Sequence, residues 1–153
     1  MSVAQKEAAR FSPMRYEDLE MISAIERSLY EFPWTPGNFR DSLNAGYSCW
    51  VCHADHILVG YSVLMVAAGE AHLLNISIAT YWQGKGLGEA LLGFLLALAR
   101  ERHCERMLLE VRKSNDLAHR LYVRNGFVPI GERKAYYPAL VGREDAIVLE
   151  RRL

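Results

Sequence analysis

The run Gln83-Gly84-Lys85-Gly86-Leu87-Gly88 lies between a β-type stretch, Leu73-Leu74-Asn75-Ile76-Ser77-Ile78, and a helical one, Glu89 to Arg102. Glycines at a strand-to-helix junction let the backbone curl so that several N–H groups point at one spot, where the positive end of the helix dipole adds its field. Such a turn is a cradle for a pyrophosphate. It also constrains the fold, because a strand that enters a helix returns to its sheet by a crossover, which calls for a parallel or mixed sheet.

At 153 residues the chain is long enough for one core and short for two, so a single domain over 11–153 is expected, behind a loose segment at 1–10. Eighteen basic residues balance eighteen acidic ones, so no overall field draws the protein to nucleic acid or a membrane. The longest apolar stretch, Ala90 to Ala99, is half of the roughly 20 residues that a spanning helix needs, and reads as a buried helix. The opening residues Met1 to Arg10 lack the apolar stretch of a signal peptide, which predicts a cytoplasmic location. Three cysteines suit that reducing setting, since an odd, sparse set is a poor disulfide framework.

Phe11 to Arg15 predicts a short strand, and Tyr16 to Tyr30 a helix with Leu19, Ile22, Ile25 and Leu29 at helical spacing. Pro33 and Pro36 end that helix, and a second short one follows over Gly37 to Leu43. Tyr47 to Ala54 and Ile57 to Ala67 read as strands joined at Asp55-His56, and His72 to Ala79 as the strand that enters the glycine turn. Beyond the long helix come a buried strand, Arg106 to Val111, and a helix from Asn115 to Arg124 closed by Asn125-Gly126. Strands at Phe127 to Arg133 and Ala146 to Arg151 flank a loop from Tyr136-Tyr137-Pro138 to Asp145. Hairpins first and crossovers later make the class α/β, or α+β by some labels, with a mixed central sheet and helices on both faces.

A dinucleotide-binding fingerprint is the nearest rival for the glycine run, with Glu110 at the end of the next strand as the ribose-binding acid. Gly84-x-Gly86-x-x-Glu89 lacks its third glycine, however, and three β-rich runs precede the turn where such a domain opens with it. A Walker phosphate loop fails because no Gly-Lys-Ser/Thr stands at the required spacing. Cys49, Cys52, His53 and His56 have metal-like spacing, but residues three apart on a strand point to opposite faces, so no metal site is expected.

From about Phe11 the chain resembles the GNAT family of N-acetyltransferases, whose acetyl-coenzyme A signature, Gln/Arg-x-x-Gly-x-Gly/Ala, is matched by Gln83-x-x-Gly86-x-Gly88. Within the family it is most similar to the ribosomal-protein alanine N-acetyltransferases, the RimI group. Four segments carry this: Glu31-Phe32-Pro33-Trp34; Leu74-Asn75-Ile76-Ser77-Ile78; Leu109-Glu110-Val111-Arg112-x-Ser114-Asn115; and Tyr136-Tyr137-Pro138 with Gly142-Arg143-Glu144-Asp145-Ala146. The resemblance implies the acyl-CoA N-acyltransferase fold, in which His72–Ala79 and Arg106–Val111 splay to admit the pantetheine arm. It implies acetyl-CoA as cosubstrate, with no metal, and a protein N-terminus as acceptor, that of a small-subunit ribosomal protein. A monomer or weak dimer is expected.

The same resemblance assigns roles. Glu110 is the general base, and Tyr122 gives a proton to the departing sulfur. The backbone of Ile76, Ser77 and Ile78 pairs with pantetheine and offers an N–H to the thioester carbonyl. Gly84, Lys85, Gly86, Leu87, Gly88 and Glu89 hold the pyrophosphate, and Asn115 hydrogen-bonds the pantetheine. Phe32, Trp34, Tyr136 and Tyr137 are the acceptor-binding aromatics. Each has a purely structural alternative: a surface carboxylate for Glu110, a core ring for Tyr122, a helix N-cap for Asn115, and loop staples for the four aromatics. Two rival functions stand beside the main one, a GNAT enzyme for lysine side chains or a small amine, and a catalytically silent coenzyme A-binding module.

Overall fold

The structure, a computed structural model, describes residues 9–153. Residues 1–8 of the expected loose segment lie outside the described residues. The first strand, β1, begins at Ala9 and runs to Pro13, earlier than the expected Phe11. A 3-10 turn, Tyr16–Asp18, precedes helix α1, Leu19–Leu29, because the Asp18 carboxylate accepts the Arg15 N–H at 2.9 Å and tightens the entry. Helix α2, Pro36–Asn44, starts one residue before the expected Gly37. Proline is at home at a first helical position, and Thr35 and Asn38 cap each other there with bonds of 2.9 and 3.1 Å.

Strands β2, Ser48–Ala54, and β3, Ile57–Ala67, form an antiparallel pair. Asp55 and His56 both take positive φ, 51° and 65°, as a two-residue hairpin turn demands. Strand β4, Glu70–Ile78, leads through a short 3-10 turn and the glycine run into helix α3, Leu87–Glu101. Strand β5, Arg106–Arg112, helix α4, Asp116–Arg124, and strands β6, Val128–Pro138, and β7, Arg143–Arg152, complete the chain. The seven strands are ordered β1-β2-β3-β4-β5-β7-β6. β4 pairs with β5 in parallel and β7 runs antiparallel to both β5 and β6, so the sheet is mixed as the crossover argument requires.

The last hairpin corrects one expectation. Tyr136, Tyr137 and Pro138 are not in a loop; they form the end of β6, and the connection to β7 is confined to residues 139–142.

The packing divides into two compact units, Met1–Met65 with Asn75–Leu95, and Val66–Leu74 with Leu96–Leu153. In the first, Ile22, Phe39, Val59, Tyr61, Leu91, Leu92 and Leu95 are fully buried. Gly60 is required there: a Cβ on it would lie 2.8 Å from the Ser77 carbonyl oxygen, closer than real Cβ atoms come. In the second, Met107, Leu109, Phe127 and Leu149 form the buried centre. Among the described residues no helix is long and apolar enough to cross a membrane.

Candidate active site

The glycine turn belongs to the first unit. Gly84 and Gly86 take φ of +75° and +81°, the left-handed region where a side chain is strained, and α3 begins at the next residue, Leu87. Gln83, the first residue of the Gln-x-x-Gly-x-Gly run, donates from Nε2 to the Ile78 carbonyl at 2.8 Å, so its side chain ties the turn to the end of β4. Lys85 holds its ammonium over the Tyr81 ring, 5.4 Å from the centroid. Two left-handed glycines, with one residue between them, just before the N-terminus of a long helix suit a diphosphate, which the first-turn N–H groups and the helix dipole would hold. Gly86→Val is therefore expected to weaken acetyl-CoA binding about tenfold or more, since a β-branched residue resists the left-handed region by roughly 1–2 kcal/mol and moves the turn to escape it. Calorimetric titration of the folded variant checks this.

Ile76, Ser77 and Ile78 end β4, with Ser77 and Ile78 buried. The Tyr30 hydroxyl donates to Ser77 Oγ at 2.6 Å, because the Ser77 proton is already given to Asn75 Oδ1 at 2.8 Å. One buried carboxylate organises this neighbourhood. Glu26 accepts from the Tyr61 hydroxyl at 2.7 Å, from Asn75 Nδ2 at 3.2 Å and from the Trp34 backbone N–H at 2.9 Å. The Trp34 ring also packs on Phe39, centroids 5.1 Å apart, while Phe32 is partly exposed in the same loop. Trp34 is thus anchored to the core by backbone and ring together.

Glu110 belongs to the second unit. Along β5 burial alternates, Met107, Leu109 and Val111 facing the core and Glu110 the other side. Its side chain is nevertheless only 10% exposed, and two partners hold its carboxylate. His72 on β4 donates from Nε2 to Oε2 at 2.7 Å, and Arg133 on β6 donates from Nε to Oε1 at 3.3 Å. The His72 hydrogen bond and the charges of His72 and Arg133 outweigh burial and hold the Glu110 carboxyl below the usual glutamate range. A depressed value stabilises the fold above the ordinary glutamate pKa and loses that contribution as pH falls through the folded one. His72→Phe is expected to raise the Glu110 value toward the ordinary range, read by NMR titration of the labelled carboxyl carbon; an unmoved midpoint would refute the assignment of cause.

Tyr136 and Tyr137 meet edge to face, centroids 4.9 Å and planes 78° apart. The Arg133 guanidinium lies 5.5 Å over the first ring and that of Arg112 4.6 Å over the second. Burial first, then the nearby Glu110 charge, pushes the Tyr137 hydroxyl up to about 12. So the structure brings Glu110, Tyr136 and Tyr137 together and adds His72 and Arg133, which the sequence reading missed. Parallel register carries the signal for His72: it pairs with Leu108, which sets Glu110 two residues along on the same face.

Asn115 is the N-cap of α4, its side chain accepting from the Ala118 N–H at 3.2 Å. Tyr122, two turns on, is buried against Phe127, ring centroids 5.7 Å apart. Both structural alternatives raised by the sequence are therefore real contacts. Cys49 and Cys52 are buried free thiols raised to about 11 by that burial. Among the described residues no group of three or more His, Cys, Asp or Glu side chains is placed to hold a metal ion.

The sequence matches the Acetyltransferase (GNAT) family over residues 19–127. It is 34% identical over 133 residues to a ribosomal protein bS18-alanine N-acetyltransferase of Haemophilus influenzae, covering 86% of this chain and 90% of that one. The Escherichia coli enzyme of the same description is 33% identical over 138 residues, with 90% and 93% covered. The fold is similar to the crystal structure of the ribosomal-protein-S18-alanine N-acetyltransferase from Escherichia coli, with a TM-score of 0.88 and 32% identity over 94% of this chain and 93% of that one.

Proposed function

The chain belongs to the acetyltransferase (GNAT) family, and we propose that it transfers the acetyl group of acetyl-CoA to the N-terminal α-amine of a protein, the N-terminal alanine of ribosomal protein S18. The observation that carries this reading is a carboxylate kept ionised by two cationic or hydrogen-bonding partners beside a pair of aromatic rings, in a chain with such relatives over nine-tenths of its length. The setting is cytoplasmic, where ribosomal proteins and acetyl-CoA meet.

Acetyl-CoA supplies an activated acyl carbon on a good leaving thiolate. The chain's own residues do the rest. The turn at Gly84–Glu89 anchors the diphosphate, Asn115 steadies the pantetheine, and a backbone N–H of the Ile76–Ile78 segment polarises the carbonyl. The acceptor α-ammonium has a reference pKa near 8, so a fraction is neutral at pH 7 without help. As the N–C bond forms the nitrogen becomes far more acidic. A carboxylate of low pKa then suffices to take its proton, directly or through water, and Glu110 is that group. The C–S bond breaks while Tyr122 gives a proton to the sulfur. Phe32, Trp34, Tyr136 and Tyr137 hold the flexible peptide end.

The test is product mapping by mass spectrometry after incubation with acetyl-CoA and a peptide bearing a free N-terminal alanine and an internal lysine. Acetylation of the α-amine, abolished when that amine is blocked, is the expected result. Acetylation that moves to lysine in the blocked peptide would establish the side-chain rival, and cofactor binding without turnover on any peptide would establish the silent module.

A further inference from the structure

Strand β6 is not regular where it carries the tyrosines. Arg133 faces Ala146 and Tyr137 faces Glu144, so Lys134, Ala135 and Tyr136 stand opposite Asp145 alone. The surplus makes a bulge, and Ala135 within it takes a φ of +50°, a strained conformation for a residue with a Cβ. Consecutive residues of a flat strand point to opposite faces, so two adjacent rings cannot meet there. The bulge is what lets Tyr136 and Tyr137 touch edge to face and turns Arg133 toward Glu110.

A bulge takes backbone polar groups out of the ladder, and those groups need partners. Here two side chains of β7 supply them. Asp145 Oδ1 accepts the Ala135 N–H at 2.8 Å, and its Oδ2 takes the Lys134 ammonium at 3.3 Å. Arg143 donates from Nε to the Ala135 carbonyl at 2.7 Å and from Nη2 to the Tyr136 carbonyl at 3.0 Å. Being two apart on a strand, the pair lies on one face. Glu144 between them is engaged elsewhere, accepting from Arg112 at 3.1 Å and from the Ser114 N–H at 2.8 Å.

We propose that Arg143 and Asp145 are positioning residues for the acceptor: by satisfying the bulge at Lys134–Tyr136 they hold the two tyrosines in the arrangement that binds the peptide N-terminus beside Glu110. The proposal rests on the reading above that these tyrosines hold the acceptor. It differs from a merely stabilising role because the hydrogen bonds end on the backbone of the tyrosine segment itself.

The experiment compares Asp145→Ala, Asp145→Asn, Arg143→Ala and Arg143→Lys with wild type, measuring peptide KM, kcat, acetyl-CoA affinity and the NMR signals of the Tyr136 and Tyr137 rings. Asparagine keeps an oxygen for the Ala135 N–H, so Asp145→Asn should behave as wild type. Lysine cannot donate twice from a planar fork, so Arg143→Lys should fail with the two alanine variants. Those three should raise peptide KM about tenfold or more, with kcat and acetyl-CoA affinity within roughly threefold, the pattern of lost ground-state binding. Ring signals should move in the same three. Rings unmoved in Asp145→Ala, or Asp145→Asn as impaired as Asp145→Ala, overturn the proposal. Rings that move while KM stays constant overturn it as well, and place the fault in the acceptor role of the tyrosines, not in the bulge.

Discussion

Glu110→Gln is expected to lower turnover of an alanine-ended peptide by roughly 10²–10⁴-fold near neutral pH, the range typical of a lost general base. The amide keeps the volume of the side chain and an oxygen for the His72 donor at 2.7 Å, so the fold and His72 stay in place. What disappears is the charge and the capacity to take a proton. Most α-amines are still protonated below about pH 8, so the loss should be deepest at low pH and partly recover as the acceptor sheds its own proton. The wild-type carboxyl is held below the ordinary glutamate range by the His72 hydrogen bond and the Arg133 charge, so its own titration does not intrude on that window. Profiles of kcat/KM against pH for both enzymes decide the matter. A loss that is constant across pH would make Glu110 a positioning group.

The parts of the site that the sequence displays are those made by neighbours in the chain. The glycine turn is such a part: the sign of φ at Gly84 and Gly86 and the helix starting at Leu87 follow from local steric and capping rules. The Asn115 cap and the Asp55-His56 hairpin are legible for the same reason. Contacts set by strand register are not. His72 lies 38 residues before Glu110, and nothing in the spacing says that β4 and β5 align Leu73 with Leu109. Strand order is equally silent, since β7 rather than β6 lies beside β5.

Tyr136-Tyr137-Pro138 illustrates a third kind of failure. Two adjacent aromatics and a proline break the alternation expected of a half-buried strand, so the segment reads as loop. It is strand all the same, because β6 lies at the sheet edge, where proline is tolerated, and because the bulge absorbs the phase error. The Arg143-Glu144-Asp145 run that supports it looks like a solvated charge cluster in sequence. Its three side chains in fact end on specific groups of three segments: the bulge backbone, Arg112 and the Ser114 N–H.

Tyr122→Phe tests the residue whose structural alternative has most support, since its ring packs on Phe127 and is buried. Phenylalanine keeps that packing and removes only the hydroxyl, so thermal stability and acetyl-CoA affinity should change little if the hydroxyl acts in the chemical step. Turnover should then fall by roughly 10²–10⁴-fold, as for loss of a general acid, when chemistry limits the rate. The role is separable from packing by the leaving group. An acetyl thioester whose thiolate has a low pKa departs without a proton, so it should restore much of the lost rate in Tyr122→Phe while leaving Glu110→Gln as impaired as before. This crossed pattern is specific, because a shifted helix α4 would depress the rate with both thioesters alike. A Tyr122→Phe enzyme as active as wild type, or one that is merely less stable, would make Tyr122 a core tyrosine and leave water as the source of the proton.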